Sequence, residues 1–215
     1  MKGVIFDMDG VIIDSEPVHV RLEKELLEEF GGDYSKIRPE DFMGTTDAQM
    51  WSAFKAQFNI GLSVEEMINI KRERFIANLN QIPLVDGVLD FMASLRDSGC
   101  KLGLASSNNE RAVEAVKNKF GLAEYIDVFV NGETVSKGKP HPEIFLTAAK
   151  LMGLKPEDCL VIEDSRNGVL AAKAAGMKCV GFRNKNSGAQ DLSKADLIIG
   201  SYKDLTVKAL KNLFN

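Results

Sequence analysis

At 215 residues, with 45% apolar and 27% charged side chains, the chain has the make-up of a soluble globular protein, which excludes disordered and fibrous classes. That length buries roughly 70% of the unfolded surface, so a full core is expected without disulfides or metal clips. The 27 Lys and Arg against 31 Asp and Glu leave a net charge of −4, which offers no footprint for nucleic acid or an anionic membrane.

Taken in chain order, short apolar runs at Gly3 to Phe6, Leu102 to Ala105, Ile126 to Val130, Leu160 to Ile162, Cys179 to Phe182 and Leu197 to Ile199 predict strands buried on both faces. Between most of them lie stripes of helical spacing, Val88/Leu89/Met92/Leu95, Val113/Val116/Phe120, Ile144/Phe145/Ala148/Leu151 and Val169/Ala172/Ala175. Such alternation predicts an α/β fold, a doubly wound parallel sheet flanked by helices. The stretch between the first two runs breaks the pattern. It carries only helical stripes, Leu22/Leu26/Leu27/Phe30, Met50/Trp51/Phe54/Phe58 and Val64/Met67/Ile68/Phe75/Leu79, the last opened by a Ser63/Glu66 capping box. The domain reading is therefore a sheet domain, 1–14 and 83–215, interrupted by an all-helical insert, 15–82, with Pro17 near its first helix start and Pro83 at the return.

In open α/β sheets ligands bind beyond the carboxyl ends of the strands. There the sequence sets Asp7 and Asp9 after the first run, Ser106 after the second, Lys139 in the loop after the third, and Glu163 with Asp164 after the fourth. Clustered carboxylates repel one another unless a hard cation lies between them, and Mg²⁺ suits a few carboxylate oxygens completed by water and phosphate. A lysine and a hydroxyl at the same edge suit phosphoryl oxygens. Asp7 is the candidate nucleophile, able to form an aspartyl phosphate. Asp9, two residues on, is the candidate acid and base, its carboxyl influenced by the neighbouring acids.

These motifs, FDMDG, LGLAS, KPHPE and VIEDS in order, resemble those of the haloacid dehalogenase superfamily of phosphotransferases. The resemblance spans the sheet domain. The insert resembles the helical cap of the subgroup that holds β-phosphoglucomutase and small sugar-phosphate phosphatases. It implies Asp7 as nucleophile and metal ligand, Asp9 as acid/base and ligand, Ser106 and Lys139 on the transferring phosphate, and Asp164 and Glu163 in the Mg²⁺ shell. An acid/base at Asp9 disfavours dehalogenation, whose enzymes lack one at that position.

The expected substrate contacts are His19, Gly44, Thr45, Asn108 and Asn109, with Ser107 capping the helix after Ser106. Lys71, Arg72 and Arg74 read as a solvated helix face. The segment Phe42 to Asp47 matches the specificity loop of the subgroup, but Met43 and Asp47 stand where the mutase pattern has a lysine and an arginine, and Asn109 where it has another lysine. A mutase must rebind a sugar bisphosphate in either orientation, which asks for a second cationic site. The expectation is therefore a phosphomonoester hydrolase for small phosphorylated metabolites, with a β-phosphoglucomutase second unless cap residues such as Lys71 restore that site. A phospho-acceptor signalling module shares the acids, Ser and Lys, but needs no cap to exclude water. The small-molecule phosphate ester is the expected partner of a monomer.

Cys100, Cys159 and Cys179 form no C-x-x-C pair. With no apolar stretch near the N-terminus resembling a signal peptide and none approaching the ~20 residues of a membrane span, a cytoplasmic protein with reduced thiols is expected.

Overall fold

The computed structural model describes residues 1–38, 42 and 46–214. Strands β1 (Gly3–Phe6), β2 (Lys101–Ala105), β3 (Val128–Val130), β4 (Cys159–Glu163), β5 (Lys178–Phe182) and β6 (Leu197–Ile199) coincide with the apolar runs. They form one parallel sheet in the order β3-β2-β1-β4-β5-β6. The fold is α/β with an inserted helical cap, as expected.

Each strand of a parallel sheet covered on both faces has no side to give to water. Accordingly Val4, Ile5, Phe6, Leu160, Val161 and Ile162 are all fully buried, each burial stabilising by about 1.5–3 kcal/mol. Helices α4 (Val88–Asp97), α5 (Glu110–Phe120), α6 (Glu143–Leu151), α7 (Arg166–Ala174) and α8 (Val207–Asn212) complete this unit. Ile144, Phe145 and Ala148 of α6 and Val169, Ala171 and Ala172 of α7 pack with Ile5, Val161 and Cys179 in one cluster. Met8, Val11, Ile12 and Ile13, which follow β1, are also fully buried, so the turn carrying Asp9 is anchored by its own side chains.

The chain separates into two compact units, Met1–Asp14 with Leu84–Asn215, and Ser15–Pro83. The second holds α1 (Glu16–Glu29), α2 (Asp47–Phe58) and α3 (Val64–Ala77). Leu26, Leu27, Met50, Trp51, Phe54, Ile60 and Met67 form its core. Ser63 and Glu66 make the expected capping box, and Thr46 and Gln49 make another at the start of α2.

Lys71 departs from the solvated face expected of it. Its side chain is only 5% exposed, and Nζ donates to Glu23 Oε1 (2.6 Å) and Asp47 Oδ1 (2.7 Å), tying α3 to α1 and α2. Burial alone would push its pKa down, but Asp47 and Glu23 outweigh it and hold the ammonium above the usual range. Among the described residues no helix is long and apolar enough to cross a membrane.

Candidate active site

Strand order reverses beside β1, and at that point the carboxyl ends of β1, β2 and β4 lie side by side: Phe6 is level with Leu104 and with Ile162. Asp7 and Glu163 follow directly, and Ser106 one residue further on, at one edge. The Asp7 N–H donates to Ile162 O (3.0 Å), and the Ser106 N–H donates to Val130 O (3.0 Å), which extends the ladder pattern into the site. Backbone pairing, rather than loop contacts, fixes these two positions.

Lys139 enters from the segment between β3 and α6, on a cis peptide to Pro140. Its Nζ donates to Asp7 Oδ1 (2.5 Å), Glu163 Oε1 (2.7 Å) and Ala105 O (3.2 Å), and lies 4.9 Å from the centre of the Phe145 ring. Lys137, two residues earlier in the same segment, is exposed. Burial would push the Lys139 pKa down, but the Asp7 and Glu163 charges prevail and raise it, so it stays an ammonium.

Both Glu163 oxygens are engaged, Oε1 by Lys139 and Oε2 by the N–H (2.8 Å) and hydroxyl (2.9 Å) of Ser165, the N-cap of α7. Gly168 lets this carboxylate lie against the helix: a Cβ there would fall 1.7 Å from Glu163 Oε1. Asn108 joins two other candidates, its Nδ2 donating to Asp9 Oδ2 (2.5 Å) and Ser106 Oγ (3.3 Å), while its N–H donates to Ser106 Oγ (3.1 Å).

Asp164 is 8% exposed and accepts from the Ser187 hydroxyl at Oδ2 (2.5 Å). Its pKa is driven well above the ordinary range by burial, then by the Glu163 and Asp7 charges. Asp7 is pushed up to about 8, again first by burial, with Lys139 pulling down and Glu163 and Asp9 pushing up. One ammonium does not balance this many acids, which is why burial and mutual repulsion push Asp7 and Asp164 upward despite Lys139.

Among the described residues no group of three or more His, Cys, Asp or Glu side chains is placed to hold a metal ion. Mg²⁺ does not require one, since one or two carboxylates with water and phosphate oxygens suffice. The carboxylates of Asp7 and Asp164 are hard oxygen donors of the kind such an ion takes along with water and phosphate.

Of the residues expected to touch substrate, Asn108 lies among the candidate catalytic groups. Asn109 is the N-cap of α5, its Oδ1 accepting from the Ala112 N–H (3.0 Å). It takes the capping role expected of Ser107, which is exposed, because the helix begins two residues later than the S-x-x-E spacing suggests. His19 belongs to the helical unit, where its ring stacks on Phe75 at 4.7 Å. Gly44 and Thr45, with Met43 of the same loop, lie outside the described residues.

Sequence reasoning missed Asp14, Asn184 and Asn186, which join the β5–β6 connection to the first turn, Ser187, which bonds Asp164 from the same connection, and Tyr202, whose hydroxyl donates to Val11 O (3.0 Å). The acidic D-x-x-x-x-D spacing of Asp9 and Asp14 was the available hint.

The sequence profile of the haloacid dehalogenase-like hydrolases matches residues 1–176. Hexitol phosphatase B of Escherichia coli strain K12 is 33% identical over 216 residues, covering 97% of this chain and 96% of that protein. The β-phosphoglucomutase of Bacillus subtilis is 30% identical over 218 residues, covering 98% and 94%. The crystal structure of CbbY from Rhodobacter sphaeroides with phosphate superposes with a TM-score of 0.86 at 28% identity, over 98% of this chain and 99% of that one. With the motifs at adjoining strand ends and this match over most of the sequence, the chain is an enzyme of the haloacid dehalogenase-like hydrolase family.

Proposed function

We propose that the enzyme is a Mg²⁺-dependent phosphomonoesterase for small phosphorylated metabolites, sugars or polyols, working through an aspartyl phosphate on Asp7. The observation that carries the reading is the buried Lys139 ammonium bonded to Asp7 Oδ1 at the end of β1, with Asp9 two residues on and held by Asn108.

In this reading an Asp7 oxygen attacks phosphorus and the bond to the leaving alcohol oxygen breaks, while Asp9 gives that oxygen a proton. Asp9 then takes a proton from water as the water oxygen attacks phosphorus, and the acyl phosphate bond breaks to return the Asp7 carboxylate and free phosphate. Lys139 and Ser106 hold the phosphoryl oxygens, where positive charge and donors stabilise the transition state. Asp7, Asp164 and the Asp9 carbonyl would hold Mg²⁺, which when bound neutralises charge on the phosphate. In this reading Glu163 anchors Lys139 through Oε1, whose second lone pair leaves its expected place in the Mg²⁺ shell open.

The hexitol phosphatase relative favours sugar and polyol esters. The β-phosphoglucomutase relative supports the second reading, a sugar phosphomutase. Against it, Lys71, bonded to Glu23 and Asp47, would have to give up those carboxylates to serve as a second phosphate site. Three buried thiols support a reducing, cytoplasmic setting.

Purified protein with Mg²⁺ is expected to turn over an aryl phosphate many times. A single stoichiometric phosphorylation would instead favour a phospho-acceptor switch. A coupled assay of β-glucose 1-phosphate is expected to show phosphate release outrunning glucose 6-phosphate formation; the reverse would establish the mutase.

A further inference from the structure

The connection from β5 to β6 does more than cross the sheet. Asn184, 9% exposed, donates through Nδ2 to Gly10 O (3.0 Å) and Asp14 Oδ1 (3.2 Å), while its Oδ1 accepts from the Asn186 N–H (2.8 Å). Asn186 Nδ2 donates to Asp14 Oδ2 (2.7 Å). The Ser187 N–H donates to Asn184 O (3.3 Å), and the Ser187 hydroxyl donates to Asp164 Oδ2 (2.5 Å). One short loop is thus bonded both to the turn that follows Asp9 and to the carboxylate that follows Glu163.

Gly10 shows how closely these parts meet. It lies at φ +73°, and a Cβ there would fall 1.9 Å from Asp164 Oδ2 and 2.8 Å from Ser187 Oγ. The Asp164 carboxylate therefore rests over a bare Cα with the serine hydroxyl beside it. Repulsion from Asp7, Asp9 and Glu163 favours swinging this side chain toward solvent. A charge-assisted hydroxyl bond to one oxygen opposes that swing and fixes the rotation of the carboxylate, hence where its other oxygen lies.

We propose that Ser187, held in place by Asn184 and Asp14, is a positioning residue that sets the Asp164 carboxylate for Mg²⁺ before ion or substrate arrives, a role that rests on the phosphatase reading of Asp164. Outer-shell partners of this kind tune ligand orientation, and their loss costs about 10–100-fold in metal affinity. The clasp acts on the ion through Asp164 and touches no reacting atom.

The test is calorimetric titration of the metal-free full chain with MgCl₂, without substrate. Ser187→Ala is expected to bind Mg²⁺ about 10–100-fold more weakly than the parent, with thermal unfolding in EDTA unchanged, and Ser187→Thr, which keeps the hydroxyl, to restore most of the affinity. Parent-like binding by Ser187→Ala, while Asp164→Asn loses it, would overturn the clasp and leave the site reading standing. Parent-like binding by Asp164→Asn, or a parent that binds no Mg²⁺, would sink both. A Ser187→Ala chain as impaired in unfolding as in binding would make the hydroxyl structural and overturn the proposal.

Discussion

Two lysines lie buried on pairs of carboxylates, Lys139 on Asp7 and Glu163 in the sheet unit, and Lys71 on Glu23 and Asp47 in the helical unit. Their local geometry is alike; what differs is the charge left over. Around Lys71 the acids are Glu23 and Asp47, the latter 41% exposed and placed at the first residue of α2, where the helix dipole also favours a negative charge. Water, dipole and ammonium together satisfy that knot. Around Lys139, Asp9 and Asp164 add to the two acids already bridged, and burial leaves Asp7 at about 8. A buried ammonium is thus a structural tie where its acids are satisfied and a sign of chemistry where acids remain in surplus.

The largest effect that sharpens this contrast belongs to Asp7→Asn. Removing the proposed nucleophile should lower kcat by ~10⁴-fold or more, measured on an aryl phosphate with Mg²⁺. The same change should stabilise the metal-free protein. The Asp7 pKa is about 8 in the folded chain against an ordinary 3.8, so between those values the native state keeps a proton that the unfolded chain has lost. Stability attributable to this group therefore falls as pH rises through that window, and an amide is spared the loss. Thermal unfolding in EDTA should show Asp7→Asn ahead of the parent by a few degrees near pH 8, with the advantage shrinking toward pH 4. A variant less stable than the parent at pH 8 would mean that the cluster carries no surplus charge.

Next in size is Gly168→Ala. In an ordinary helix interior this exchange stabilises by about 1 kcal/mol. Here the added methyl would occupy the place of the Glu163 carboxylate, which is 1% exposed and held by Lys139 and Ser165. The carboxylate must move and Lys139 with it. Loss of about 10–100-fold in kcat is expected, together with a lower rather than higher unfolding midpoint. A gain in stability with full activity would show that Glu163 does not position Lys139.

Much of this site was legible because strands buried on both faces read as unbroken apolar runs, and the first polar residue after each run must emerge at the sheet edge. Asp7, Ser106 and Glu163 follow from that alone, and Lys139 from its Lys-Pro motif. Lys71 was illegible because its partners Glu23 and Asp47 lie on other helices, so helical periodicity within α3 says nothing of them. Ser187 and Asn184 were illegible for a related reason. Their loop has no period, and its bonds run to Asp164, Gly10 and Asp14, far back in the chain. The choice of Asn109 over Ser107 as helix cap turned on where α5 begins, which spacing alone leaves open by a residue or two.

Lys71→Met tests the other half of the contrast. It leaves Glu23 and Asp47 facing each other without their cation. Truncating one member of a fully enclosed pair costs about 3–5 kcal/mol; solvent at Asp47 reduces this to about 1–3 kcal/mol. The loss should appear in urea unfolding. Turnover of an aryl phosphate below the unfolding transition should remain close to the parent's, whereas Lys139→Met should lose turnover. If Lys71→Met instead raised KM with unchanged stability, the lysine would be a substrate group and the mutase reading would regain its second phosphate site.

The smallest effect separates a cap from a contact at Asn109. As the N-cap of α5 it satisfies the Ala112 N–H, so Asn109→Ala should cost about 0.5–2 kcal/mol of stability. Asn109→Asp and Asn109→Ser keep an acceptor and should recover most of it. A substrate contact would behave differently: aspartate would repel a phosphate ester and raise KM even while it caps the helix well. Equal KM for the asparagine and serine chains, with stability following cap strength, would assign Asn109 to the helix. A KM that rises in Asn109→Ser despite restored stability would return it to the substrate side of the site.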